Sequence, residues 1–335
     1  MNTFENNISE SEKSKKKISK FIENLDKLYL EKYNDIDTTQ YFKIIKDKNN
    51  KTTYGYVLRL FHNYEMTGLI STYFSLKYSN PMYDIICFIN ETNIYESNYL
   101  NDLYLKYEKI SDENISILKK LFDVVVSTSI IKIKSEKLHH SLNYEHNTLL
   151  GFILYSKILF IEFGSLINKN IDFIFDKYEK STYSMTETHK SYSGGLFPSL
   201  ILIIPSKYYI KKFEYLTENY NIIFNNLKFL IPAPSNILYF SIYPHWNNER
   251  FDDKLINYNF LRVPNIDIKY IGRDEYYIEY YYLNPSYSFM RDKTRFKLSL
   301  NNYIKWDKTV KRILDENPEY IKFFEYIKTY RNTLF

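Results

Sequence analysis

A series of short apolar runs, separated by stretches of helical spacing, constrains this chain more than any other feature. YGYVLRLF (54–61), DIICFIN (84–90), DVVVSTS (123–129) and LILIIP (200–205) read as buried strands. NNLKFLIPAPS (225–235), stopped by Pro232 and Pro234, and NILYFSIYPH (236–245) add two more. Between them LISTYFSLKY (69–78), SDENISILKKL (111–121) and SKYYIKKFEYLTENY (206–220) read as helices. Ser111 is the expected N-cap of the second, with Asp112 and Glu113 in its first turn. Strands alternating with helices predict an α/β sheet protein. NTLLGFILYSKILFIEFG (147–164) is apolar enough for a buried helix, or for a helix plus a strand. EYYIEYYYL (275–283) is expected as an edge strand and YIKFFEYIKTY (320–330) as a last helix.

The 335 residues can bury a substantial core, and no internal repeat or flexible linker divides them. The expected organisation is a disordered tail over 1–15, then a single domain over 16–335 with an N-terminal helix and a C-terminal extension. The 36 Tyr and 24 Phe accompany 7 Gly and one Ala, Ala233, as expected for an AT-rich genome. Much of the tyrosine excess is therefore no sign of a binding surface. Residues 1–20 are polar and basic, unlike a signal peptide, and no apolar run reaches membrane-spanning length. The expected setting is cytoplasmic: an infected cell, a virion, or a cytoplasmic genetic element. The single cysteine, Cys87, excludes an internal disulfide and a cysteine zinc site, and its apolar flanks predict a buried strand thiol. Lys13, Lys15, Lys16, Lys17 and Lys20 could make a weak RNA contact in a chain of net charge +5, although a solvated terminus explains them as well.

Candidate chemistry is sparse. His139-His140-Ser141 and His189-Lys190-Ser191 resemble the paired His-x-Ser motifs of 2H phosphoesterases, in which one imidazole accepts a proton and the other donates one. Their flanks lack the alternation of a strand. Arg59, Ser127-Thr128-Ser129 and Glu187 resemble an ADP-ribosyltransferase triad without the usual glutamate context. Gly194-Gly195 is the one Gly pair, so neither a P-loop nor a G-x-G-x-x-G loop exists.

Three longer stretches carry a broader likeness. YVLRLFHNYEMTGLISTYFSLKY, DENISILKKLFDVVVSTS, and GGLFPSLILIIPSKYYIKKFEYL followed by LKFLIPAPSNILYFSIY resemble the methyltransferase-like proteins of poxviral mRNA processing. Two branches of that family share the likeness: the small regulatory subunit of the mRNA-capping enzyme, and the cap 2′-O-methyltransferase that also stimulates poly(A) polymerase. The resemblance implies a Rossmann-type, methyltransferase-like sheet with helices on both faces. It also implies a degenerate cofactor site. The first turn, LFHNYEMTG, is bulky up to Gly68, where a methyl donor needs close backbone approach. The family's catalytic aspartate falls on Thr128, its lysine near Ile203 or Ile204, and its glutamate near Ile237; Lys207 belongs to the following helix.

With donor turn and catalytic set both missing, the resemblance implies no catalytic, cofactor or metal residue and no cofactor such as S-adenosylmethionine. The expected function is a non-catalytic regulatory subunit of a viral mRNA-capping complex, forming a heterodimer with the large subunit and stimulating its guanine-N7 methyltransferase. Exposed aromatics in 275–283 and 320–335 are its candidate anchors. The alternatives are an active cap ribose methyltransferase, and an immunity or interaction protein of a cytoplasmic element.

Overall fold

The computed structural model describes residues 37–61, 63–89, 110–128, 145–178, 183–187, 196–218, 256–259, 277–281 and 304–324, together with Lys20, Glu23 and Asn24. The chain adopts a mixed α/β fold of broadly Rossmann-like character built on a seven-stranded sheet. In chain order its strands are β1 (Phe42–Lys46), β2 (Tyr54–Leu60), β3 (Asp84–Ile89), β4 (Val124–Thr128), β5 (Lys157–Ile161), β7 (Tyr183–Glu187) and β8 (Leu196–Ile203). Their spatial order is β1-β4-β3-β2-β5-β8-β7. The four central strands β4, β3, β2 and β5 run parallel. β1, β8 and β7 each pair antiparallel with a neighbour. A smaller sheet sets β10 (Ile278–Tyr281) between β6 (Ser165–Ile167) and β9 (Ile256–Asn259).

Central parallel strands are covered on both faces, so they need apolar residues at nearly every position. β3 and β4 are buried throughout, and Cys87 lies at the centre of β3 with its thiol pushed well up by burial. Tyr56, Leu58 and Leu60 of β2 point with Cys87, Val125, Leu159 and Leu202 into one large cluster. That face is covered by α1 (Met66–Tyr78) and by α5 (Ile304–Glu316), which supplies Trp306, Val310 and Ile313 at helical spacing. The opposite face carries an aromatic group of Phe42, Phe88 and Phe152, with ring centroids 4.8–5.9 Å apart. Beside it α4 (Lys207–Glu218) lies on the 3₁₀ turn Glu145–Gly151, close enough that a methyl group on Gly151 would sit 3.2 Å from Ile210.

α1 is buried from Met66 to Leu76. Its small polar residues permit this by answering local carbonyls: Ser71 Oγ donates to Thr67 O and Thr72 Oγ1 to Gly68 O, each at 2.9 Å. α2 (Asp112–Leu121) starts as expected, with Ser111 Oγ accepting from the Asn114 amide at 3.2 Å. α3 (Phe173–Lys177) ends on the Nζ of Lys157, buried in β5, which donates to the Phe175 and Tyr178 carbonyls. No helix among the described residues is long and apolar enough to cross a membrane.

Several expectations need correction. β10 is the middle strand of the small sheet, not an edge strand. The last helix begins earlier, as α5, and Pro318–Phe324 is a 3₁₀ turn; residues 325–330 lie outside the described residues. The candidate anchors Tyr320 and Phe324 are buried in the core. The 147–164 stretch resolves into a 3₁₀ turn plus β5, the second of the two readings held open for it. The expected strands at 225–235 and 236–245, and the N-terminal tail and its basic cluster apart from Lys20, lie outside the described residues.

Candidate functional site

An open α/β sheet binds its ligands outside the carboxyl ends of its strands, at the point where the strand order reverses. Here the chain lays β3 and then β4 to one side of β2, and places β5 on the other. The switch point is therefore the gap between the ends of β2 and β5. β2 and β5 pair in register as far as Val57–Phe160. Two residues further along the chain from each come Arg59, still within β2, and Glu162, just past the end of β5, on the side that Val57 and Phe160 share.

The register makes them partners: Arg59 Nε donates to Glu162 Oε1 at 2.9 Å. Their side chains are 13% and 6% exposed, so the pair is largely withdrawn from water. The guanidinium carbon lies 4.9 Å from the centre of the Phe61 ring and 5.4 Å from that of Phe163. Two rings and a carboxylate thus hold one cation.

The backbone around the pair is equally fixed. The Phe61 amide donates to the buried carboxylate of Glu65 at 2.8 Å, which turns the chain from β2 into α1. Asn63 Oδ1 accepts from the Ser111 amide and from Asn114 Nδ2, tying the same turn to the start of α2. After β5, Gly164 has a φ of 87°, a conformation costly for residues with a Cβ. Its amide donates to Thr72 Oγ1 at 3.0 Å, and the Ile167 amide to Ser75 Oγ at 3.0 Å. The turn carrying Glu162 is therefore seated on the hydroxyl-bearing side of α1.

Thr128, expected where a fourth strand ends, lies on β4, two strands from β2 and away from the switch point. It is buried, and its hydroxyl reaches the Ile89 carbonyl at 3.5 Å. Ile203 is buried in β8, Lys207 opens α4 as expected, and Ile237 lies outside the described residues. Gly68 belongs to α1 and lies under Gly164, so the first turn has no glycine bend. Of the expected triad, Ser129 lies outside the described residues, and the structure does not assemble Arg59, Ser127-Thr128 and Glu187. At about 4.8 Å per strand, β4 lies two strands to one side of β2 and β7 three to the other. His139, His140, Ser141, His189, Lys190, Ser191, Gly194 and Gly195 lie outside the described residues. Among the described residues, no group of three or more His, Cys, Asp or Glu could hold a metal ion.

Glu162 escaped the sequence reading, and Arg59 entered it with the wrong partners. The available signal was a charged residue closing each of two apolar runs, YVLR and ILFIE.

No family model matches the sequence, and no curated protein matches it. The fold is similar to solved glycosyltransferase structures. The apo bifunctional glycosyltransferase WbbM has a TM-score of 0.47 at 11% identity over 70% of this chain. The galactosyltransferase LgtC, in complex with donor and acceptor sugar analogues, has a TM-score of 0.45 at 10% identity, over 76% of this chain and 99% of LgtC. GlyE of Streptococcus pneumoniae has a TM-score of 0.41 at 12% identity, over 80% of this chain and 64% of GlyE. The chain spans 47% of the WbbM structure, about half its length.

The expectation of a non-catalytic regulatory subunit in viral mRNA capping is corrected by these findings. The similar structures are glycosyltransferases. The position beyond β2 belongs to β5, and the next to the antiparallel β8, whereas the doubly wound dinucleotide fold continues in parallel there. The cap ribose methyltransferase and interaction-protein alternatives are overturned with it, as is the mRNA-processing setting.

Proposed function

We propose that this chain takes a nucleotide-activated sugar at the β2–β5 switch point and serves glycosyl transfer. The observation that carries the reading is the buried Arg59–Glu162 pair, set where an open sheet of this order receives its ligand. The activity named for WbbM, LgtC and GlyE agrees with it.

The chemistry gives the pair a task. In glycosyl transfer the bond from the anomeric carbon to a phosphate oxygen breaks, and a bond to an acceptor oxygen forms as the acceptor hydroxyl loses its proton. Negative charge gathers on the departing nucleoside diphosphate and positive charge on the sugar ring. A guanidinium is a rigid planar donor suited to phosphate oxygens. Glu162 and the two phenylalanine rings hold that of Arg59 in one orientation, so little ordering remains to be done on binding. In this reading Arg59 binds the diphosphate and Glu162 positions Arg59.

The test is a titration of the full chain with UDP-, GDP- and ADP-sugars, followed by calorimetry and ligand-observed NMR. At least one is expected to bind, and Arg59→Ala, shown folded by circular dichroism, is expected to weaken it by about tenfold or more, as loss of a charge-assisted hydrogen bond does. If none of them binds the wild-type chain, the proposal is wrong.

A further inference from the structure

The second inference rests on that reading and concerns what neutralises the nucleotide. A departing diphosphate needs positive charge, which proteins supply either as a bound divalent cation or as Arg and Lys side chains. A divalent cation at the switch point would need anionic oxygens there. Among the described residues Glu162 is the carboxylate on that face at the end of β5, and it does not suit a metal ion. Its Oε1 accepts from Arg59 Nε at 2.9 Å, and its side chain is 6% exposed. A dication on Glu162 would sit against the guanidinium, in a setting where burial weakens screening. Glu65, the other buried carboxylate nearby, accepts from the Phe61 amide and serves the chain turn.

We infer that the switch point binds its nucleotide diphosphate without a divalent cation, with the guanidinium of Arg59 standing where such an ion would otherwise be needed. The rings of Phe61 and Phe163 support this role, since they hold the cation over their faces without cancelling its charge.

The experiment is a titration of the full-length chain with UDP and GDP, run once in excess EDTA and once in excess manganese chloride. The expected result is binding of at least one nucleotide with dissociation constants that agree within about threefold. Binding that is tenfold or more tighter with manganese overturns this inference and leaves the nucleotide-sugar reading standing. No binding under either condition overturns both. Glu162→Gln supplies a second measurement, because its amide oxygen can still accept from Arg59 Nε and keep the guanidinium in place while the negative charge beside the diphosphate is removed. Tighter nucleotide binding in EDTA is expected, and loss of binding in a folded Glu162→Gln chain overturns the inference. Should that variant fail to fold, the comparison of EDTA with manganese on the wild-type chain decides alone.

Discussion

The Arg59–Glu162 pair offers a stability experiment independent of any ligand. Both side chains are largely buried, at 13% and 6% exposure, so each has given up most of its hydration for the other. Removing one partner of such a pair strands the other, at a cost of about 3–5 kcal/mol. Arg59→Met keeps the apolar stem against Phe61 and Phe163 but removes the guanidinium from Glu162, so a cost within that range is expected. Glu162→Gln leaves a guanidinium that is the more exposed partner and still stacked on two rings, so about 2–3 kcal/mol is expected. The double variant strands no charge. It should therefore cost less than the sum of the singles by about 2–3 kcal/mol, the coupling expected of groups in contact. Urea unfolding followed by fluorescence and circular dichroism measures all four chains of the cycle. Raising the salt should leave the coupling nearly unchanged, because ions screen a buried pair poorly. Two singles below about 1 kcal/mol, adding without coupling, would mark an exposed-type pair. The switch point would then have no preorganised cation, and the reasoning behind both functional proposals would fail.

Two other substitutions probe the scaffold. Asp84, fully buried at the start of β3, accepts from Lys48 Nζ at 2.6 Å, the Thr52 amide at 2.9 Å and the Tyr155 hydroxyl at 3.0 Å. Burial alone would raise its carboxyl, but Lys48, Thr52 and Tyr155 outweigh that and hold it below the ordinary carboxylate range. Its contribution is therefore complete above the unfolded-state value of about 4 and is lost as the pH falls through the lower folded value. Asp84→Asn should cost about 2–3 kcal/mol at neutral pH, and urea titrations should show the gap from wild type narrowing in acid; a gap independent of pH would refute the assignment. Gly164→Ala forces a Cβ into the left-handed region at φ 87° and should cost about 1–2 kcal/mol. Because this turn carries Glu162, the variant should weaken nucleotide binding as well, which thermal unfolding and calorimetry together test.

The elements that could be read from the sequence are those whose signal is local. β2, β3 and β4 are covered on both faces, so their runs are apolar except near their ends, and α2 announces itself by its cap at Ser111. α1 lacks a charged, solvent-facing side because it is buried from Met66 to Leu76, and its one polar stripe, Thr67, Ser71, Thr72 and Ser75, is turned inward. β1 is the reverse case. It is an edge strand in which Lys43 and Ile44 are exposed, and FKIIK has no core pattern to display. β6, three residues long, is held by its pairing with β10 over a hundred residues away, which no local window contains.

The site was hidden by the same physics. Strand identity follows from residues within a window of ten, but strand order follows from which apolar faces meet after folding. With LILIIP as the strand after DVVVSTS, and KILFI fitting either helix or strand, the family resemblance sets its catalytic positions on Thr128 and on isoleucines. Once KILFI is placed beside β2, the switch point carries a guanidinium and a carboxylate instead of bare hydroxyls. Residues with no chemical meaning in one sheet order acquire it in another. The absence of a catalytic set at Thr128 is therefore a property of where Thr128 lies, and it says nothing of what the pair at the ends of β2 and β5 can do.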